Sequence, residues 1–599
     1  MNTTSRTLLA AVLFVSATLL GCGSPSADRD EGDSDENSGA RPNIVVILAD
    51  DMGYSDVGSY GADVIETPTL DRLAEGGLRF TQFYNTARCV PTRASLLTGL
   101  YPHQAGLGHM TFNQDLPGYR GDLNDHNVTI AEVLGEAGYS TYMAGKWHVT
   151  PFQPEAPTRH NWPLQRGFDR FFGTIIGAGS YYDPASLVRD SSYIAPREAG
   201  DAYTNDDFYY TDAISDYAAR QVRTHAETAP SAPFFLYVSY TAPHWPLHAP
   251  QATIETYEGA FDRGWDQLRR DRYERMVRMG LIDEAWPLTE RDPAVPAWDE
   301  AKNKDWQARR MAVYAAQIDR MDQGIGRIVD ALEQTGALEN TLILFLSDNG
   351  GAQERFGWVD WRDYPDSEGA PPPAPGAVQT SLYPKVTRDG EPIQLGNMPA
   401  HMPGPEDTYQ SYGRPWANVS NAPFREYKHL VHEGGIATPL IAHWPAGIER
   451  TGALVRQPGH VVDLMATAVD LGAAAYPDTV AGHAIRSPQG VSLAPAFRGQ
   501  DLGRAAPLFF EHQGNRAIRD GKWKAVAKGR PEPSWKPSWG PGAWELYNME
   551  ADRTETNDLA ARRPERLKAM VRQWEAMARR YNAVPWPYGG TYGTATDEQ

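Results

Sequence analysis

The stretch Asn43-Ile44-Val45-Val46-Ile47-Leu48-Ala49-Asp50-Asp51 decides the fold. A short apolar run without a break, rich in β-branched side chains, suits a strand buried on both faces of a parallel sheet. Working outward, similar runs recur at Phe234-Phe235-Leu236-Tyr237-Val238, at Leu342-Ile343-Leu344-Phe345-Leu346 and, more weakly, at Leu440-Ile441-Ala442. Helical patterns lie between them: Thr69 to Ala74, Ala94 to Leu97, Ile130 to Glu136, the long Gln307 to Glu333, and Val461 to Leu471. Strands alternating with helices predict an α/β sandwich around a large, mostly parallel central sheet. Ligands in such sheets bind beyond the carboxyl ends of the strands.

Two regions break the alternation. Residues 355–425, with Ala370-Pro371-Pro372-Pro373-Ala374-Pro375, are too long for a connector and read as an excursion lining a site. From about Ala505, the pieces Leu508-Phe509-Phe510, Lys522-Trp523-Lys524-Ala525-Val526 and Glu545-Leu546-Tyr547 precede a charged helix, Pro564 to Tyr581. They predict a small antiparallel sheet with one helix, packed on the main body. The expected division is therefore a catalytic domain over 41–504 and a C-terminal α+β subdomain over 505–599.

The chain has 599 residues, 41% hydrophobic and 22% charged, enough to bury a sizeable core. Its 76 acidic residues against 56 Lys and Arg give a net charge of −20. That balance argues against nucleic-acid binding, which draws on a positive field. One basic pocket for a small anion is still compatible with an acidic body. Cys22 and Cys89 are the only cysteines, which excludes a disulfide scaffold and an all-cysteine zinc site.

Residues 1–22 read as an export signal. Arg6 supplies the positive start, and Leu8 to Leu20 is an uncharged run too short to span a bilayer. The run closes on Leu19-Leu20-Gly21-Cys22, which resembles the lipobox of bacterial lipoproteins, where the cysteine is lipidated. An ordinary cleaved signal is the alternative. Residues 23–40 are small, polar and acidic and read as a solvated tether. The expectation is an exported protein, periplasmic or on the cell surface, meeting the membrane only through a lipid at Cys22.

Asp50-Asp51 and Asp348-Asn349 each follow a predicted buried strand directly. In one crevice their mutual repulsion calls for a cation, and hard oxygen donors favour Ca²⁺ or Mg²⁺. Each aspartate alone is equally a cap or turn former. Cys89-Val90-Pro91-Thr92-Arg93-Ala94-Ser95-Leu96-Leu97-Thr98-Gly99 places Cys89 at a helix start, where free N–H groups favour an anion, with Arg93 one turn in. The cysteine is there either a thiolate nucleophile or an inert thiol. Gly145-Lys146-Trp147-His148 places a cation and an imidazole two residues apart, on one face if extended, Ala242-Pro243-His244 adds an imidazole, and Phe424-Arg425-Glu426-Tyr427-Lys428 adds cations.

In this order the segments resemble the type I sulfatase family over nearly all of residues 42–590, with bacterial arylsulfatases as the nearest pattern. Cys89-Val90-Pro91-Thr92-Arg93 followed by Leu96-Leu97-Thr98-Gly99 is similar to the motif whose cysteine a formylglycine-generating enzyme oxidises to formylglycine (3-oxoalanine). Gly264-Trp265-Asp266 and Gln317-Ile318-Asp319-Arg320-Met321-Asp322 follow the bacterial pattern too. The resemblance implies an alkaline-phosphatase-like sandwich hydrolysing sulfate monoesters of aryl, alkyl or carbohydrate alcohols. It implies one divalent cation, usually calcium, on Asp50, Asp51, Asp348, Asn349 and the formylglycine at Cys89. Arg93 would hold the formylglycine, His148 would contact its hydroxyl, and Lys146, His244 and Lys428 would contact the sulfate. His244 with Lys428 is assigned as acid and His148 as base, and the two histidines are interchangeable without geometry.

Two other readings stay open at this point. A phosphonate or phosphodiester hydrolase of the same superfamily can share the formylglycine and the metal. A non-catalytic carbohydrate-binding lipoprotein would suit the 17 Trp and 29 Tyr residues, though it gives no reason for Cys89.

Overall fold

The structure is a computed structural model that describes residues 41–154, 158–200, 208–354, 370–374, 376–529 and 543–585. Residues 1–40, on which the expected signal, tether and Cys22 fall, lie outside the described residues, as do residues 355–369 of the long excursion. Residues from Arg41 onward form one compact unit.

The run that opens the sequence reading is the central strand Asn43–Ala49. Successive side chains alternate across a strand, and both faces of this one are buried. Val45, Ile47 and Ala49 enter one core, while Ile44, Val46 and Leu48 enter the other. Each buried aliphatic side chain contributes about 1.5–3 kcal/mol, so any register slip would exchange two filled layers.

Asn43–Ala49 pairs in parallel with Thr341–Ser347 on one side and Phe234–Ser239 on the other. Phe234–Ser239 pairs in parallel with Ser140–Gly145, which pairs in parallel with Arg170–Thr174. Beyond Thr341–Ser347 the direction reverses. Ala437–His443 runs antiparallel both to it and to Leu78–Tyr84. Among the described residues the sheet has eleven strands, with the parallel block at its centre. Four neighbouring carboxyl ends, those of Ser140–Gly145, Phe234–Ser239, Asn43–Ala49 and Thr341–Ser347, therefore open onto one edge.

Helices cover both faces. Lys304–Gln334 buries Met311, Ile318, Ile325 and Leu332 at seven-residue intervals, a stripe that lies along one side of the helix. It packs against Tyr210–Thr228, and a Cβ on Gly324 would lie 2.0 Å from Ser215 Oγ there. On the other face, Cys89–Thr98 contributes Val90, Ala94 and Leu97 to the second core.

Near the C-terminus, Leu508–His512, Asn515–Asp520, Trp523–Ala527 and Glu545–Asn548 form an antiparallel meander. Phe509, Ile518, Ala525 and Leu546 pack under the helix Pro564–Tyr581, while Leu508, Phe510, Ala517 and Val526 face the main core. A buried ion network fastens this sheet. Lys524 Nζ lies 2.9 Å from Glu433 and 2.8 Å from Glu555, and Arg553 Nε lies 3.0 Å from Glu433. Burial alone would raise the Glu433 pKa, but Lys524, Arg553 and Arg519 hold it at about 2. No helix among the described residues is long and apolar enough to cross a membrane.

Candidate active site

Each residue of the expected set leaves a carboxyl end or folds back onto it. Asp50 and Asp51 follow Asn43–Ala49, Asp348 and Asn349 follow Thr341–Ser347, and Lys146 follows Ser140–Gly145. His244 lies just past Phe234–Ser239. Asp51 turns through a left-handed backbone conformation (φ 67°), and its N–H donates to Asp348 Oδ1 at 3.1 Å. Asn349 Nδ2 donates to Asp51 Oδ1 at 2.8 Å. The two acidic pairs thus meet in one crevice.

Cys89 begins its helix and is 2% exposed, with Sγ 3.5 Å from Asp50 Oδ1. Atoms of Asp50, Asp51, Cys89 and His244 lie within 4.8 Å of one another. The cations close in around them. Arg93 Nη2 is 3.1 Å from Asp348 Oδ2 and 3.4 Å from Asp50 Oδ2. Lys146 Nζ pairs with Asp50, and Lys428 Nζ lies 2.8 Å from the Asp51 carboxylate. Burial by itself would raise the Asp50 pKa, but Lys146, His244, Arg93 and Lys428 hold it well below the usual carboxylate range. Asp348 goes the other way, to about 8, because burial and the nearby Asp50 outweigh Arg93.

Burial pushes the Cys89 thiol up to about 12 against the pull of Lys146 and Lys428. An unmodified thiolate nucleophile is therefore not what this pocket makes at neutral pH. The helix N-terminus does not outweigh the desolvation.

The two histidines are held differently. His244 Nδ1 lies 2.7 Å from the Trp245 carbonyl, which makes it the N–H bearing nitrogen. Its Nε2 then faces Lys428 Nζ and Asp51, each at 3.5 Å. His148 is not on an extended segment with Lys146. It sits in a left-handed turn (φ 54°) with its N–H on the Ile175 carbonyl at 3.1 Å. Its Nδ1 is buried without a hydrogen-bond partner, and burial with Lys146 and Arg93 nearby keeps the imidazole neutral. Gly177 lies against this ring, where an added Cβ would come within 1.9 Å of it.

The donor set suits a hard divalent cation. Asp50, Asp51 and Asp348 offer carboxylate oxygens, and Asn349 Oδ1 is buried with no hydrogen-bond partner, an arrangement that oxygen-seeking Ca²⁺ or Mg²⁺ satisfies. Sequence reasoning passed over residues that hold this set in place. Ser239, the polar end of an otherwise apolar strand, accepts a hydrogen bond from Arg93 and donates to the Lys146 carbonyl at 2.7 Å. Glu354, a few residues after Asp348-Asn349, contacts Lys428.

Residues 42–474 match the sulfatase family model. The chain belongs to the sulfatase family. This sulfatase is 33% identical over 483 residues to an arylsulfatase of Klebsiella aerogenes, a match covering 78% of this chain and 94% of that one. It is 32% identical over 556 residues to an uncharacterised sulfatase of Schizosaccharomyces pombe, covering 89% and 93%. Among solved structures, Ps i-CgsB is 25% identical with a TM-score of 0.60, covering 92% of this chain and 95% of that one. The architecture is the alkaline-phosphatase-like sandwich the resemblance implies, and hydrolysis of sulfate esters is the reaction of this sulfatase.

Proposed function

We propose that this sulfatase hydrolyses sulfate monoesters at a formylglycine made from Cys89, beside one divalent cation held by Asp50, Asp51, Asp348 and Asn349. The observation that carries this reading is the placement of Cys89 Sγ, 3.5 Å from Asp50 Oδ1 and ringed by Arg93, Lys146 and Lys428, with its thiol at about 12. The cysteine occupies the nucleophile's place in a form too weakly acidic to act as one, which gives its oxidation a purpose. Formylglycine at residue 89 would supply, as its hydrate, one oxygen for attack on sulfur and a second whose return to the carbonyl would release sulfate. The bound cation, calcium by family usage and magnesium as the other candidate, would supply charge opposite the sulfate oxygens.

The chain's own groups do the rest. Arg93, Lys146 and Lys428 present fixed positive charge where the transition state accumulates negative charge, and preorganised charge of this kind is the largest catalytic term in many enzymes. His148, buried and neutral, is the base. His244 is the acid for the leaving oxygen. Its Nε2 is the acceptor nitrogen, so it must take a proton before it can act, while Lys428 Nζ, 3.5 Å away, keeps its own proton and charge beside Asp51 and Glu354. The substrate's alcohol is aryl, alkyl or carbohydrate. Export through residues 1–22 and a lipid at Cys22 would place the enzyme in the periplasm or at the cell surface, with a formylglycine-generating enzyme as its maturation partner.

The test is turnover of p-nitrophenyl sulfate beside p-nitrophenyl phosphate and a phosphonate monoester, with calcium and a co-expressed formylglycine-generating enzyme. Preferred sulfate turnover that vanishes in Cys89→Ala supports the reading. Preferred turnover of the phosphonate would replace it with the phosphonate hydrolase reading.

A further inference from the structure

Glu354 is 7% exposed and lies at the point where three separate chain segments meet. Its Oε1 is 3.4 Å from Lys428 Nζ and 2.9 Å from His429 Nε2, and 3.9 Å from Arg88 Nη2. Its Oε2 accepts from Trp245 Nε1 at 2.7 Å. Its own carbonyl accepts from Ser411 Oγ at 2.6 Å, which pins the segment that carries it. The four side-chain partners are not scattered. Arg88 precedes Cys89, Trp245 follows His244, and Lys428 and His429 are adjacent. One carboxylate thereby ties the segments bearing the nucleophile position, the acid and a sulfate-binding cation.

Lys428 stands between two anions, Asp51 at 2.8 Å and Glu354 at 3.4 Å. Asp51 belongs to the set that faces the cation site. Glu354 does not, so it gives the ammonium a second anionic partner outside that set and constrains where its remaining N–H groups point. The placement of such a group bears directly on the rate, since misplacement by about 1 Å can cost about 100-fold. We propose that Glu354 is a positioning residue that aims Lys428 at the substrate sulfate, an inference that rests on the reading given above for Lys428.

A double-mutant cycle tests it, on enzyme whose conversion at residue 89 is confirmed by peptide mass. Glu354→Gln keeps an acceptor for Trp245 and removes the charge. It is expected to lower kcat/KM for p-nitrophenyl sulfate by about 10- to 100-fold, mostly in kcat, while the same change in a Lys428→Ala background costs less than about twofold. Glu354→Asp, which keeps the charge, should recover part of the loss, and it enters the cycle in place of Gln if that variant does not fold. Equal losses in both backgrounds, or no loss in the first, would overturn the inference alone. Undiminished turnover in Lys428→Ala would overturn both this inference and the role of Lys428 on which it rests.

Discussion

One guanidinium nitrogen of Arg93, Nη2, lies 3.1 Å from Asp348 and 3.4 Å from Asp50, bridging carboxylates that leave neighbouring parallel strands. The other terminal nitrogen, Nη1, reaches the Lys146 carbonyl at 3.2 Å and Ser239. A planar fork is needed to serve both sides, which an ammonium cannot do. Arg93→Lys is therefore expected to retain the fold and lose about 100-fold or more in kcat. Circular dichroism beside steady-state kinetics checks this, and near-normal kcat would show that charge alone suffices.

Cys89→Ala removes the nucleophile position from a pocket whose walls are polar. Turnover should fall below detection, while thermal stability changes by no more than about 1 kcal/mol, because a thiol is a small hydrophobe. Full activity in this variant would remove the central claim.

Asp348→Asn takes one carboxylate from the cation's donor set and from Arg93 together. Calcium affinity, measured by isothermal titration, and kcat should fall in parallel. Unchanged calcium binding would exclude Asp348 as a ligand.

Gly177→Ala tests the seat of His148 from a distance in sequence. The added Cβ would lie 1.9 Å from the imidazole, so the ring must move. A drop in kcat of about 10- to 100-fold with little change in KM is expected. Unaltered kinetics would mean that the position of His148 is not critical.

Burial holds His248 and His460 near 3, opposed at His248 by the hydrogen bond to the Thr408 carbonyl and reinforced at His460 by Arg504. Their unfolded imidazoles titrate at about 6.5. Between those values these two imidazoles bind protons in the unfolded chain that the folded chain refuses, so their contribution to stability falls as pH drops below about 6.5. Each such group contributes about 1.4 kcal/mol per pH unit once well inside the window. Asp348, raised to about 8, acts in the opposite sense, so the check is a comparison: between pH 6.5 and 4.5, urea midpoints should decline more steeply in the wild type than in His248→Phe, and equal slopes would contradict the assignment.

The central strands were legible because both of their faces are buried, which leaves a continuous apolar signature at Ile44–Ala49, Phe234–Val238 and Leu342–Leu346. Leu78–Tyr84 and Ser140–Gly145 were not, because Arg79, Gln82 and Tyr142 are only partly buried and interrupt the pattern. The residues that meet in the crevice could be picked out from the sequence because most of them sit at or just past a strand's carboxyl end or inside the Cys89 motif. Glu354, Ser239 and Gly177 carry no such motif. Their importance comes from what they touch on distant segments, Gly177 on His148, Ser239 on Arg93 and Lys146, and Glu354 on Lys428, and spacing does not encode that. The unpaired Nδ1 of His148 and the tautomer of His244 are likewise tertiary facts.

The depth of Cys89 imposes an order of events on the life of the chain. In the finished molecule its thiol is buried beside Asp50, with Lys428 and Asp348, hundreds of residues downstream, among the charges around it, which leaves a second enzyme no access to it. On the proposed reading, oxidation must reach residue 89 while the polypeptide is still open. Folding and conversion then compete for every newly made molecule. One that folds first is well built, stable and permanently silent, so the specific activity of any preparation records the outcome of that race.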